Sequence, residues 1–267
     1  MEASGVNAHQ QQPRTTLVVK YGGNAMTDVA ARRAVLADIS ALARAGTPPV
    51  VVHGGGPSIA AELEAAGITS HFVRGLRVTT PQSLPVVERA LTLLGKSLAS
   101  ELGDAVALTG RDARLLEAER VDPSLGEVGT VRRVRVALLE AIVATGFVPV
   151  VGCLAHEVGG DALLNVNADD AAAAVAAALS LPCVFLTNVP GVLEDVADPA
   201  SRVDELSRAE AQRRIADGRI AGGMIPKVES ALAAIERGAP AAIIADGRLP
   251  GELQRVAGSQ AGTRVVP

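Results

Sequence analysis

Short apolar runs alternate with longer stretches of helical spacing through most of this chain. Residues 16–20 are β-branched and apolar with no polar alternation, which predicts a strand buried on both faces. Residues 28–44 place Val29, Leu36, Ile39, Leu42 and Ala43 at helical spacing, with Gly46 as the stop. Residues 49–52 read as a second buried strand, and a helix over 59–66 follows Pro57. The pattern continues with a helix over 83–102 and strands over 106–109, 115–119 and 131–136. The middle strand of these three alternates weakly, so hairpins are expected at this edge. A helix over 138–145 and a strand over 147–151 come next. An alanine-rich helix ends near residue 179, followed by a strand over 183–187. Helices over 208–216 and 225–237 and strands over 241–245 and 264–266 complete the pattern.

Apolar strands without alternation suit a parallel sheet covered on both faces. The strand–helix succession therefore predicts an α/β fold, a three-layer αβα sandwich around a central, mainly parallel sheet. Residues 1–14 are polar and carry Gln10, Gln11 and Gln12, and are expected to be a flexible tail. No linker divides the remainder, so residues 15–267 are expected to form one domain whose two lobes share a sheet.

Composition removes several functional classes. Hydrophobic residues make up 48% of the 267, enough for a sizeable core. One Tyr, three Phe and no Trp leave little for base stacking, and a net charge of −4 opposes a phosphate-backbone footprint, so no nucleic acid partner is expected. The longest apolar stretch, 171–179, is far short of the roughly 20 residues of a spanning helix, and no secretory signal is visible. Cys153 and Cys183 read as reduced core thiols of a cytoplasmic protein.

Glycine changes the picture. Gly22-Gly23, Gly54-Gly55-Gly56 and Gly222-Gly223 stand at junctions between elements, where backbone N–H groups and helix N-termini receive anions. None matches a P-loop or a dinucleotide fingerprint. Lys20 ends a buried strand and calls for an anionic partner. Lys227 stands in the first turn of a helix, where the dipole disfavours a cation unless a phosphate shares the site. Asp169 and Asp170 open the alanine-rich helix; one is expected to cap it, leaving the other for a lysine pair or Mg²⁺. Arg77, among apolar neighbours, suits either carboxylate recognition or a structural salt bridge. His53 reads as structural, and Tyr21 and Met26 as packing.

Taken in order, five blocks resemble the amino acid kinase family, in the branch that phosphorylates N-acetyl-L-glutamate. They are Val19-Lys20-Tyr21-Gly22-Gly23-Asn24-Ala25-Met26, Val52-His53-Gly54-Gly55-Gly56-Pro57, Gly75-Leu76-Arg77-Val78-Thr79, Asn165-Val166-Asn167-Ala168-Asp169 and Gly222-Gly223-Met224-Ile225-Pro226-Lys227-Val228. The resemblance implies transfer of phosphate from ATP, with Mg²⁺, to the side-chain carboxylate, giving N-acetyl-L-glutamyl 5-phosphate in the second step of arginine biosynthesis. It implies catalytic roles for Lys20, Lys227 and Asp169, and phosphoryl-stabilising backbone at Gly22, Gly23 and Gly55. Gly55, Gly56, Arg77 and Asn165 would bind the acyl substrate. The nucleotide would lie on Asn188, Val189, Pro190, Gly191, Val192 and Leu193, and on Arg219, Ile220, Ala221, Gly222, Gly223 and Met224. Residues 15–187 would then be mainly the acyl-substrate lobe with dimer contacts, and 188–267 mainly the nucleotide lobe.

The sequence also departs from the family. Asn188 replaces a usual Asp, and Arg111 stands where lysine is common. Residues 1–14 lack the apolar stripe of the helix that joins dimers into arginine-inhibited hexamers, and 251–262 match that group's C-terminal segment poorly. A homodimer insensitive to arginine is the expectation. Rival readings are a sister kinase of carrier-protein-linked aminoadipate or glutamate, a non-catalytic amino-acid sensor, and a nucleotide kinase of the same superfamily.

Overall fold

The computed structural model describes residues 14–22, 26, 28–195 and 197–267. Strand β1 (Val18–Tyr21) leads to α1 (Val29–Arg44), β2 (Val50–His53) and α2 (Gly56–Ala65). A hairpin of β3 (Phe72–Val73) and β4 (Leu76–Arg77) precedes α3 (Leu84–Leu102) and β5 (Ala105–Thr109). Next come β6 (Leu116–Arg120), β7 (Val128–Val134), α4 (Val136–Ala144), β8 (Val148–Gly152), β9 (Leu154–Glu157) and β10 (Leu163–Val166). The chain then runs through α5 (Ala168–Leu179), β11 (Cys183–Thr187), β12 (Glu205–Ser207), α6 (Arg208–Ala216) and α7 (Ile225–Glu236). It finishes with β13 (Ala242–Asp246), α8 (Glu252–Ala257) and β14 (Thr263–Val266).

Eight strands form one sheet in the order β12-β14-β13-β11-β1-β2-β8-β5. Every pairing is parallel except β13 with β14, so the sheet is central and mainly parallel, as the apolar runs require. Alternation along each strand divides its side chains between two cores. On β1, Val18 joins the core built with α5 and α7, while Val19 and Tyr21 join the core built with α1 and α8. Lys20 has the parity of Val18, so its side chain rises on the α5 face. On β2, Val50 and Val52 face α5 and α7, whereas Val51 and His53 have the opposite parity. Strand β1 therefore decides on which side of the sheet a charge can stand.

Elements with strong periodicity appear within a few residues of their expected positions. Asp28 caps α1, accepting from the Ala31 N–H at 2.7 Å. Weak or short elements escape the pattern. Strands β6, β7, β9 and β10 close into a small barrel rather than the simple hairpins expected at this edge. Closure depends on Gly129, where a Cβ would come within 2.8 Å of Leu164 Cδ1 and 3.1 Å of Glu119 O. A two-residue turn at Arg74 and Gly75, with φ of 50° and 78°, joins the exposed β3 to the more buried β4. Strand β12 and helix α8, three and six residues long, are too short to show a period.

Helix α8 is held by a distant residue. The Asp38 carboxylate is buried and accepts from Gly251 N–H at 2.7 Å and Leu253 N–H at 3.0 Å, closing the N-terminus of a helix more than 200 residues away. Hydrogen bonds to a charged group contribute about 1.5–3 kcal/mol each, and both are lost together on truncation. Asp38→Ala is expected to lower unfolding stability by about 3–6 kcal/mol in a denaturant titration. A change below about 0.5 kcal/mol would contradict this role.

Candidate active site

Two cavities open at the carboxyl ends of β1 and β2, and Lys20 and Gly22 line both. One, of about 340 Å³, is bounded by the end of β11 (Phe185, Leu186, Thr187), Asn188 and the first turns of α7 (Pro226, Lys227, Ser230). The other, of about 200 Å³, is bounded by Gly54, Gly55, Gly56, Arg77, Cys153 and Asn165 among others. Crevices outside the carboxyl ends of parallel strands are where α/β sheets bind ligands.

Lys20 meets Asp169 from the first turn of α5, with Nζ 2.9 Å from Oδ1. Both groups keep partial solvent exposure, and such a pair contributes only about 1 kcal/mol or less to stability. Its consequence is geometric: a cation is held at the junction of two cavities. The capping expectation for the two aspartates is corrected here. Asn167 is the cap of α5, its Oδ1 accepting from Asp169 N–H at 2.8 Å and Asp170 N–H at 3.2 Å. That frees both carboxylates for other partners. Asp169 takes Lys20 and the Ser230 hydroxyl, 3.2 Å from Oδ2, and Asp170 turns away to Thr130 and Arg237.

Helix termini supply further positive potential. Neither α2 nor α7 has a side-chain cap, and both N-termini stand beside the two cavities, although Ile225 N–H donates to Gly222 O and Pro57 and Pro226 donate nothing. Lys227 adds an exposed ammonium whose Nζ donates to Gly223 O at 3.1 Å, and it forms no ion pair among the described residues. At Gly22, a Cβ would stand 3.4 Å from Lys20 Nζ, in the space an anion needs. Gly55 is closely packed as well, since a Cβ there would stand 3.0 Å from Leu91 Cδ2 and press it aside, whereas Gly56 is not crowded. Gly23 lies outside the described residues.

Arg77 settles one open alternative. It is 9% exposed, yet among the described residues it has no carboxylate partner, so it is not a structural salt bridge. Its guanidinium donates to Ser70 Oγ and to Gly56 O and stacks 4.6 Å from the Phe72 ring centroid. Burial depresses its pKa, the mark of a cation that has lost water without gaining an anion. Asn165, on β10, lines the same cavity and donates to Thr79 Oγ1 at 3.0 Å. His53 belongs to the other face. It is fully buried beside Gly95 of α3, with Nδ1 2.9 Å from Gly54 O, and burial pushes its pKa down.

Of the residues expected around a nucleotide, Asn188 lines the larger cavity. Val192 and Ile220 are buried in the core, which leaves them backbone contacts only. Val189 and Met224 pack partly against that core, and Leu193 bridges to Arg202. Pro190, Gly191, Ala221, Gly222 and Gly223 lie in loop or 3₁₀ backbone, and Arg219 is paired with Asp217 at 2.7 Å. Arg111 pairs with Glu88 and lines neither cavity. Sequence reading missed Asn167 as a cap and Ser230 as the second partner of Asp169. Ser230 follows Lys227 by three positions on one helix face, a spacing that could have marked it.

Comparison with known proteins points to one family. The pattern of the amino acid kinase family matches residues 15–246. An acetylglutamate kinase of Deinococcus radiodurans is 53% identical over 94% of this chain and 100% of its own length. One from Thermus thermophilus is 46% identical over 94% of this chain and 98% of its own. Among solved structures, N-acetylglutamate synthase from Neisseria gonorrhoeae, complexed with coenzyme A and N-acetyl-glutamate, superposes with a TM-score of 0.76 at 26% identity. That match covers 96% of this chain and 60% of the synthase. Carbamate kinase from Giardia lamblia, at 16% identity and a TM-score of 0.69 over 95% of this chain and 99% of its own, shares the fold.

Cys153 borders the smaller cavity but is 2% exposed, and burial pushes its thiol pKa up to about 12; Cys183 is raised as well. At pH 8 the Cys153 thiolate would be on the order of one part in 10⁴. Neither thiol is expected to react with a disulfide reagent within minutes in the folded protein, and both should react after unfolding. One fast-reacting thiol in the native state would contradict this.

Proposed function

The chain belongs to the amino acid kinase family, and on that premise we propose that it uses ATP to phosphorylate the side-chain carboxylate of N-acetyl-L-glutamate, in arginine biosynthesis. The observation that carries this reading is the junction itself: two cavities of unequal size share Lys20 and Gly22. A phosphoryl group passing between two bound molecules has to cross such a point.

The larger cavity takes the nucleotide and the smaller takes the amino acid. Arg77, buried and without a carboxylate partner among the described residues, holds the α-carboxylate end together with Asn165. The side-chain carboxylate then points at the glycine loop. One of its oxygens attacks the γ-phosphorus, the bond from phosphorus to the bridging oxygen breaks, and ADP leaves. A carboxylate is already ionised near pH 7, so the step needs no strong general base, in keeping with a neutral His53 on the far face. The barrier is mostly the approach of two anions and the charge on the transferring group. Like charges 4 Å apart repel by about 4 kcal/mol at an effective dielectric constant of 20. Lys20 and Lys227, with N–H groups of Gly22, Gly23 and Gly55, offset that repulsion. Asp169 keeps Lys20 aimed at the junction.

Among the described residues no group of three His, Cys, Asp or Glu is suited to a metal, and Asp169 is the sole carboxylate lining the larger cavity. That donor set fits Mg²⁺ brought in on nucleotide phosphates. Bound there, Mg²⁺ would neutralise part of the phosphate charge. The nucleotide lobe would be residues 188–267 and the acyl lobe 15–187, parts of one eight-stranded sheet. We read the assembly as a cytoplasmic homodimer insensitive to arginine. Two free cysteines suit a reducing compartment, and no described helix is long and apolar enough to cross a membrane.

An ATP-dependent hydroxamate assay should give product with N-acetylglutamate and far less with glutamate, N-acetylaspartate or aminoadipate. Activity with none of them, or with another alone, would overturn the reading. Lys20→Ala and Lys227→Ala are each expected to lower kcat by about 10²–10³ while KM changes only a few-fold. Turnover like that of the unmodified protein in either variant would remove that lysine from the mechanism.

A further inference from the structure

The two adjacent aspartates at the start of α5 reach α7 at two separate points. Asp169 accepts from Ser230, three residues beyond Lys227. Asp170 pairs with Arg237, the residue that ends α7. The Arg237 guanidinium also donates to Thr130 Oγ1 at 2.7 Å and to Val131 O at 2.9 Å. Asp170 in turn accepts from Thr130 Oγ1 at 3.0 Å and from Val131 N–H at 2.9 Å. The far end of α7 is thus tied both to α5 and to strand β7 of the barrel. Neither Asp170 nor Arg237 lines either ligand cavity.

The packing between the two helices gives this tie its importance. The buried residues of α5 are Ala171 to Ala174, Val175 and Ala176, and those of α7 are Val228, Ala231, Leu232, Ala234 and Ile235. The alanine surface of α5 allows close approach but offers few long side chains for those of α7 to interlock with, so packing against α5 resists axial sliding and pivoting weakly. Polar ties then set the stance of α7. At 1.5 Å of rise per residue, Lys227 lies roughly 4.5 Å along the helix from Ser230, and Arg237 roughly 10.5 Å on the other side. With Ser230 as pivot, a shift of about 2 Å at Arg237 moves Lys227 by about 1 Å.

We propose that Arg237, through Asp170 and Thr130, is a positioning residue that sets the placement of Lys227 relative to the Lys20–Asp169 pair. This rests on the phosphoryl-transfer reading of the site. Arg237 lines neither ligand cavity, so on this reading it acts on turnover through Lys227 alone. Misplacement of a catalytic group by 1 Å costs up to about 10²-fold in rate.

The test is a pair of backgrounds. Arg237→Met, which removes the fork and keeps the aliphatic stem, is expected to lower kcat about tenfold, with KM for N-acetylglutamate within about twofold. In the Lys227→Ala background the same substitution should change the remaining kcat by less than about twofold, because the group it positions is gone. Asp170→Asn should behave in the same way. Should Arg237→Met fail to fold, Arg237→Lys keeps the charge without the fork and is expected to show a smaller drop with the same dependence on Lys227. Equal fold-losses in both backgrounds, or lowered thermal stability with kcat unchanged, would reduce the tie to a structural role and overturn the proposal. An unmodified protein inactive on N-acetylglutamate would overturn the functional reading and this inference together. An active one with unaffected Arg237 variants would overturn only this inference.

Discussion

Lys20 carries a positive charge at the carboxyl end of a strand whose other side chains are buried, and most of the site follows from how that charge is held. An ammonium leaving water needs an anion. Strand parity places Lys20 on the face covered by α5, and the first turn of α5 meets it with Asp169 at 2.9 Å. Because the pair remains partly exposed, it adds little to stability. It fixes a cation at the place where two cavities touch.

The surroundings extend that one constraint. Helix N-termini without side-chain caps and, among the described residues, a lysine without an ion pair and a guanidinium without a carboxylate all stand around the same crevice. Charge of one sign is concentrated where, among the described residues, Asp169 is the single carboxylate lining the two cavities. Such a site is unfinished until anions enter it, which is the condition for bringing two negatively charged substrates together. The scarcity of aromatic side chains fits as well. With one Tyr and three Phe in the chain, an adenine would be held by backbone and aliphatic contacts rather than by stacking.

Much of this was legible in the residues. The parallel sheet follows from apolar runs without alternation, and β11 and α6 fall where periodicity puts them. The glycine loops, Lys20, Lys227 and Arg77 were visible as residues of the wrong kind for their positions. What escaped was short or set by distant partners. The barrel around Gly129 has strands with no clean period, and α8 depends on a carboxylate at Asp38. The roles of Asp169 and Asp170 could not be divided by spacing, because both occupy the same helical turn and Asn167 had already taken the cap.

Local preferences act over a few residues, so the sequence by itself determined the elements, their burial and the kinds of chemistry at their ends. It also determined that Lys20 required an anion. Which anion, and which side of the sheet it came from, only the tertiary structure decided. The same holds for the division of labour between two neighbouring aspartates and for the tie from Asp170 to Arg237. Each depends on contacts between residues 61 to 149 positions apart, and no local rule reaches that far.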